Sequence, residues 1–193
     1  MVKYWRKNAI NIVLYLDDGF GMSDSFGECE KDSVFAQQFL VDAGFLINEE
    51  KSIFVPTQKL EWLGILWDRQ LFSLSIPDRR ISDLLGSITH IIDLFAVFTA
   101  RELVQVTGNG ISLSPVVGNL ARLMTRYCFM SIEARSWDKH IFLVYPSEIL
   151  RELYFWRDNV KSVNCKTIAS YCPSSVVIYS DASNILVELT PLR

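Results

Sequence analysis

Apolar and polar positions sort the chain into a strand-rich opening, a helical middle and a final strand. Ile10–Leu16 is an apolar run ending in Asp17-Asp18-Gly19, which predicts a buried strand entering a tight turn. Asp18-Gly19 suits a hairpin turn, with Phe20 and Met22 opening the return strand. Phe35, Ala36, Phe39, Leu40 and Ala43 form one stripe of a helix over Gly27–Ala43, and Gly44 stands where such a helix stops. Ser52–Val55 reads as a short strand. Leu60–Trp67 and Leu71–Ile76 read as the arms of a further hairpin.

The period changes after Pro77. Ile81, Leu84, Leu85, Ile88, Ile91, Ile92 and Phe95 recur at helical spacing, which predicts an amphipathic helix over Asp78–Phe95. Thr99-Ala100-Arg101-Glu102 is a capping box opening a second helix, with Gly108-Asn109-Gly110 as its expected end. Ser114-Pro115 starts a third, carrying Val116, Val117, Leu120, Leu123, Met124 and Tyr127 on one face. A fourth, Ser147–Val160, aligns Ile149, Leu153, Trp156 and Val160. The chain then reads as a polar loop from Asn164 to Ser175, followed by a strand at Val176–Tyr179 and Ser180-Asp181-Ala182-Ser183. The expected class is α+β. Because the chain opens on what reads as an interior strand and closes just after a new one, both ends read as cut.

Composition narrows the picture. With 193 residues, 50% of them hydrophobic and 12% aromatic, the chain can bury a substantial core and does not resemble a disordered segment. No apolar run reaches the ~20 residues needed to span a bilayer. The basic and apolar opening leads to two aspartates instead of a small-residue cleavage site, so no targeting segment is read. Cys29, Cys128, Cys165 and Cys172 lack metal-binding spacing and read as reduced thiols of an intracellular protein. A net charge of −3 is opposite in sign to that of most nucleic-acid binders, so any such surface has to be a local patch.

Two carboxylates at a hairpin tip have two readings. Aspartate favours turns by bonding nearby backbone amides. Paired carboxylates on a rigid hairpin also suit hard divalent cations such as Mg²⁺. The neighbours favour the second reading. Tyr15-Leu16-Asp17-Asp18 resembles the Tyr-x-Asp-Asp motif of reverse transcriptases. Asn48-Glu49-Glu50-Lys51-Ser52 is similar to the Asn-x-x-Lys-Ser element that follows that hairpin, and Leu60-Glu61-Trp62-Leu63-Gly64-Ile65 to the primer-grip hairpin. Thr99–Leu103, Gly118–Arg126 and Leu153-Tyr154-Phe155-Trp156 resemble the thumb and connection of DIRS-type, tyrosine-recombinase retrotransposons. Tyr179–Ser183 resembles the first strand of their RNase H domain.

The resemblance implies a division into a C-terminal part of the palm with its primer grip (1–76), a helical thumb and connection (77–164) and the start of an RNase H-like domain (172–193). It implies nucleotidyl transfer from a dNTP to a primer 3′ end on an RNA or DNA template. Asp17 and Asp18 would hold two Mg²⁺ ions, and Tyr15 would pack beside the primer end. Lys51 would lie near the triphosphate as a catalytic proton donor to pyrophosphate, although a solvated lysine is as good a reading. Trp62 and Gly64 would shape the grip, unless Trp62 is simply core. Arg79, Arg80, Arg122 and Arg126 could touch duplex phosphates, the last two sharing a helix face that could equally be only solvated. Asp181 would be the first metal-binding carboxylate of RNase H.

Some family features are absent. No aspartate precedes Ile10 to supply the first polymerase carboxylate, and the fingers are missing. Asn184–Arg193 lacks the glycines that the family carries there, and Glu188 is the one further acidic candidate in that stretch. The expectation is a chain that does not polymerise alone. The competing readings are a non-catalytic nucleic-acid-binding remnant and a purely structural helical domain.

Overall fold

The computed structural model describes residues 1–93, 98–133 and 146–168 with their side chains, and the backbone of 178–182 and 187–191. A short helix, α1 (Val2–Lys7), leads into β1 (Asn11–Tyr15), which pairs antiparallel with β2 (Asp18–Met22). The register Tyr15↔Asp18 leaves Leu16 and Asp17 as the two-residue loop, not Asp18-Gly19 as the sequence suggested. Leu16 takes a left-handed φ of 56° to make the turn. Packing fixes this register. Ile12 and Leu14 lie against a small core of Trp5, Ile10 and Ala36, and Gly19 sits opposite Leu14, where a Cβ would stand 3.1 Å from Leu14 Cδ2. Gly19 is therefore used for close approach and not for the turn.

Helix α2 (Phe26–Asp42) covers that face of the hairpin through Ala36, Phe39 and Leu40. Ser25 Oγ accepts from the Glu28 amide at its start. At its end Gly44 (φ 82°) lets the Gly44 and Phe45 amides reach the Val41 and Leu40 carbonyls, a Schellman stop. The segment expected as a strand at Ser52–Val55 joins no ladder among the described residues, and the Ser33 hydroxyl donates to the Phe54 carbonyl instead.

The second sheet has the order β3 (Lys59–Trp62), β4 (Ile65–Asp68), β5 (Ser73–Ser75) and β6 (Lys166–Thr167), all antiparallel. The stretch expected as one arm, Leu60–Trp67, instead folds back on itself: Leu63 (φ 51°) and Gly64 (φ 69°) form the two-residue β3–β4 loop, the positive pair of a type I′ turn that a left-handed Leu-Gly pair permits. Strand β6 lies in the stretch that the sequence presents as a polar loop. It is held by Asn164, whose Oδ1 accepts from the Ile76 amide (2.5 Å) and whose Nδ2 donates to the Ile76 carbonyl (3.0 Å).

Between β5 and β6 the chain makes the helices α3 (Asp78–Asp93), α4 (Ala100–Ser112), α5 (Ser114–Val117), α6 (Leu120–Leu123), α7 (Arg126–Glu133) and α8 (Pro146–Asn159). Their apolar faces, with Ile65, Leu74 and Ile76 of the sheet, build the main core around Leu84, Ile88, Leu103, Ile149, Leu153 and Trp156. The end expected for the first of these helices, Leu94 and Phe95, lies outside the described residues. The capping box at Thr99 and Glu102 forms as expected. Helix α4 does not stop at Gly108–Gly110, because packing overrides glycine's poor propensity. Gly110 is buried against Thr125 and the Trp156 ring, where a Cβ would come within 3.3 Å of Thr125 Cγ2. The helix expected after Ser114 breaks into three, first at Gly118 with its φ of 66°.

A buried carboxylate secures the last of these breaks. The Thr125 hydroxyl donates back to the Ala121 carbonyl (2.7 Å), so it does not cap α7. Glu152 of α8, only 4% exposed, accepts from the Tyr127 and Cys128 amides at 2.8 and 3.0 Å. It thereby satisfies two of the orphan donors at a helix N-terminus, where negative charge is favoured. Burial, and then the nearby Glu152 charge, push the Cys128 thiol far above its usual range. At the chain's end β7 (Ile178–Ala182) pairs antiparallel with β8 (Val187–Pro191); of the strand expected at Val176–Tyr179, Ile178 and Tyr179 lie on β7 and the first two residues lie outside the described ones. Among the described residues, no helix is long and apolar enough to cross a membrane.

Two predictions follow from this packing. Glu152→Ala removes the acceptor from one buried and one half-buried amide and should lower unfolding stability by about 3 kcal/mol. Urea denaturation measures this, and a loss below about 1 kcal/mol would contradict the capping role. Glu102 is held below the usual carboxylate range, first by the Thr99 amide and then by the Thr99 hydroxyl, with His90 adding to the effect. A depressed carboxyl contributes stability that is full above its unfolded-state titration and is lost as pH falls through the folded-state one. Glu102→Gln should therefore flatten the acid limb of the stability–pH profile, and an unchanged limb would contradict the assignment.

Candidate functional site

The alternation of β1 and β2 decides what each face of the hairpin presents. Ile12 and Leu14 point to α2, with Gly19 and Gly21 opposite them. Val13, Tyr15, Asp18 and Phe20 therefore share the other face. Tyr15 is 58% exposed, and both aspartates are exposed. Neither Asp17 nor Asp18 spends its carboxylate on a hydrogen bond or ion pair with the described residues. Their oxygens are free, hard donors, which suits Mg²⁺, an ion that takes only one or two carboxylates and keeps several waters. Among the described residues, no group of three His, Cys, Asp or Glu side chains is arranged to hold a metal ion.

Phe20 joins this face to the second sheet. Its ring centroid lies 5.1 Å from Trp62 and 5.2 Å from Trp67, both tilted, and the two indoles are 6.0 Å apart. Such offset and tilted contacts between aromatic rings are the favoured ones. The register Leu60↔Trp67 and Trp62↔Ile65 puts both tryptophans on the face that also carries buried Ile65. The indole N–H groups of Trp62 and Trp67 are enclosed without an acceptor among the described residues, so this joint rests on ring packing. Asp18 lies two residues from Phe20 on the same strand face. The contact that docks Phe20 therefore also sets the direction of Asp18.

The remaining candidates are placed as follows. Asn48 takes the Lys51 amide on both its carbonyl and its Oδ1, each at 3.2 Å, making a turn that leaves the Lys51 side chain exposed. Gly64 sits at the tip of the β3–β4 hairpin, and its carbonyl accepts from Arg80 Nη1 at 2.8 Å. Arg79 pairs with Glu61 of β3 at 2.8 Å, both side chains being largely in solvent. Arg122 and Arg126 are exposed but lie on separate helices, α6 and α7, so they do not share one helix face. Asp181 lies on β7, in register with Glu188 of β8.

Phe20, Trp67, Asn164 and Glu152 were not foreseen as site or framework residues. The one available signal was for Phe20, whose period-2 position places it with Asp18 and not with Leu14.

Comparison with solved structures finds a foamy viral protease–reverse transcriptase dRH in complex with double-stranded DNA. The TM-score is 0.64 at 17% identity, over 94% of this chain and 30% of that one. The chain thus has a reverse transcriptase-like fold and spans about 30% of the length of that neighbour. No family model matches the sequence, and no curated protein matches it.

Proposed function

We propose that the chain is the palm-to-thumb portion of a retroelement reverse transcriptase of the DIRS, tyrosine-recombinase type, and that it grips a template–primer duplex. The observation that carries this is the joint at Phe20, which ties a Tyr-x-Asp-Asp hairpin with free carboxylates to a Trp-Leu-Gly hairpin. The likeness of fold to a reverse transcriptase solved with DNA supports it. In this reading residues 1–76 are palm and grip, 77–164 thumb and connection, and 172–193 the opening of an RNase H-like domain with Asp181 as its first carboxylate.

In the complete enzyme Asp17 and Asp18 would hold Mg²⁺, which would supply charge neutralisation for nucleotidyl transfer from a dNTP. Tyr15, on the same face as Asp18, packs beside the primer end. The Leu63-Gly64 turn supports the primer strand, and Trp62 fixes that turn against Phe20. Lys51, Arg122 and Arg126, exposed in the structure, supply positive charge toward triphosphate and duplex.

In this reading the isolated chain binds without polymerising, since the Asp pair lacks the upstream carboxylate that the resemblance calls for. A primer-extension assay and a hybrid-binding titration on the purified chain test both halves. Salt-dependent binding of an RNA–DNA hybrid with no Mg²⁺-dependent incorporation is expected. Robust synthesis abolished by Asp17→Asn would overturn the inactivity, and absence of binding at low salt would overturn the nucleic-acid role.

A further inference from the structure

Arg80 stands where two parts of the fold meet. It is half-buried at the start of α3, and its guanidinium divides between two acceptors. Nη1 donates to the Gly64 carbonyl at 2.8 Å, at the tip of the β3–β4 hairpin. Nη2 donates to Ser112 Oγ at 2.6 Å, at the last residue of α4. The Ser112 hydroxyl in turn donates to the Asn109 carbonyl at 2.6 Å, so its lone pairs are aimed at Arg80. The fit at the hairpin leaves no spare room. A Cβ on Gly64 would lie 2.7 Å from Arg80 Nη1 and 3.2 Å from its Cδ and Cζ. The neighbouring Arg79 differs, since its guanidinium pairs with Glu61 largely in solvent.

We propose that Arg80 is a positioning residue, which locks the Leu63-Gly64 turn to the C-terminal end of α4 so that grip hairpin and thumb helices move as one body. This rests on the functional reading above for its consequence in primer placement, but the lock itself is a property of the free chain. The planar fork suits the task, because one rigid group reaches two acceptors on separate elements at once. A lysine ammonium is a compact point charge and does not reproduce that geometry. The role differs from a phosphate contact, for which a basic residue at this position would otherwise be taken. A phosphate contact needs a guanidinium free to face the duplex. Here one N–H of each Nη is already given to the protein, which fixes the plane of the fork and leaves fewer of its five donors for a phosphate.

The two roles separate in one experiment on the full chain. Arg80→Gln, Arg80→Lys and Ser112→Ala are compared with the unaltered chain by hydrogen exchange and by titration with an RNA–DNA hybrid over a range of salt. The expected result is faster exchange at the Gly64 and Ile65 amides in Arg80→Gln and in Ser112→Ala, with Arg80→Lys intermediate. Hybrid affinity should fall about tenfold in Arg80→Gln through loss of the charged hydrogen bonds. The slope of log affinity against log salt should stay unchanged, and adding Ser112→Ala to Arg80→Gln should cost nothing more. A slope lower by about one in Arg80→Gln is the signature of a lost phosphate contact and would overturn the proposal. So would unchanged exchange at the hairpin turn in both single variants. An unaltered chain that binds no hybrid defeats the functional reading instead, and the exchange measurements still decide whether Arg80 forms the lock.

Discussion

One ring holds the candidate site together. Phe20 leaves the carboxylate-bearing hairpin and enters the angle between Trp62 and Trp67. On one side of it lies the small core of Trp5, Ile10 and Ala36 under α2. On the other lies the main core of the sheet and helices, against which Trp67 packs. That contact ties the Asp17–Asp18 tip to the Leu63-Gly64 turn, which otherwise pack with different cores. The chemistry proposed for them needs both at a fixed separation, since placing a primer end against a metal-binding pair tolerates little misalignment.

The frame behind this joint is built from long-range polar bonds that close an otherwise helical excursion. Chain that leaves the sheet after β5 returns as β6, and Asn164 fastens the return by exchanging two hydrogen bonds with the backbone of Ile76. Inside the excursion, Glu152 caps α7 from α8, and the Trp156 indole donates to the Met124 carbonyl at 2.7 Å. Each of these groups is polar in an apolar setting and each is satisfied, so the helices have one arrangement and not several. That rigidity gives the β3–β4 hairpin a firm base beneath its tip.

Local signals in the sequence carried over into the structure where they needed no distant partner. The capping box at Thr99 and Glu102, the stop at Gly44 and the stripes of α3 and α8 follow from chemistry within a few residues. The hairpin bearing Asp17 and Asp18 was legible for the same reason, whereas the apolar pattern made Leu60–Trp67 one arm and only the resemblance to a primer-grip hairpin pointed to the turn at Leu63-Gly64. What was not legible depended on packing between remote segments. The turn moved to Leu16-Asp17 because α2 selects the register. Helix α4 ran through two glycines because Trp156, far along the chain, fills the space beside Gly110. Lys166–Thr167 became a strand only because β5 offered an edge. Arg80 reads as a candidate phosphate contact in sequence, and only the fold shows its two protein acceptors.

The central claim is that Phe20 couples the two hairpins, and a double-mutant cycle between Phe20 and Trp62 tests it most directly. Phe20→Leu, Trp62→Leu and the double variant are compared by urea unfolding of the full chain. The account predicts a coupling of about 0.5–1.5 kcal/mol beyond the two separate losses, the range for a specific aromatic pair. Losses that simply add would mean that the hairpins are not joined through these rings, and the proposed site would lose its physical basis.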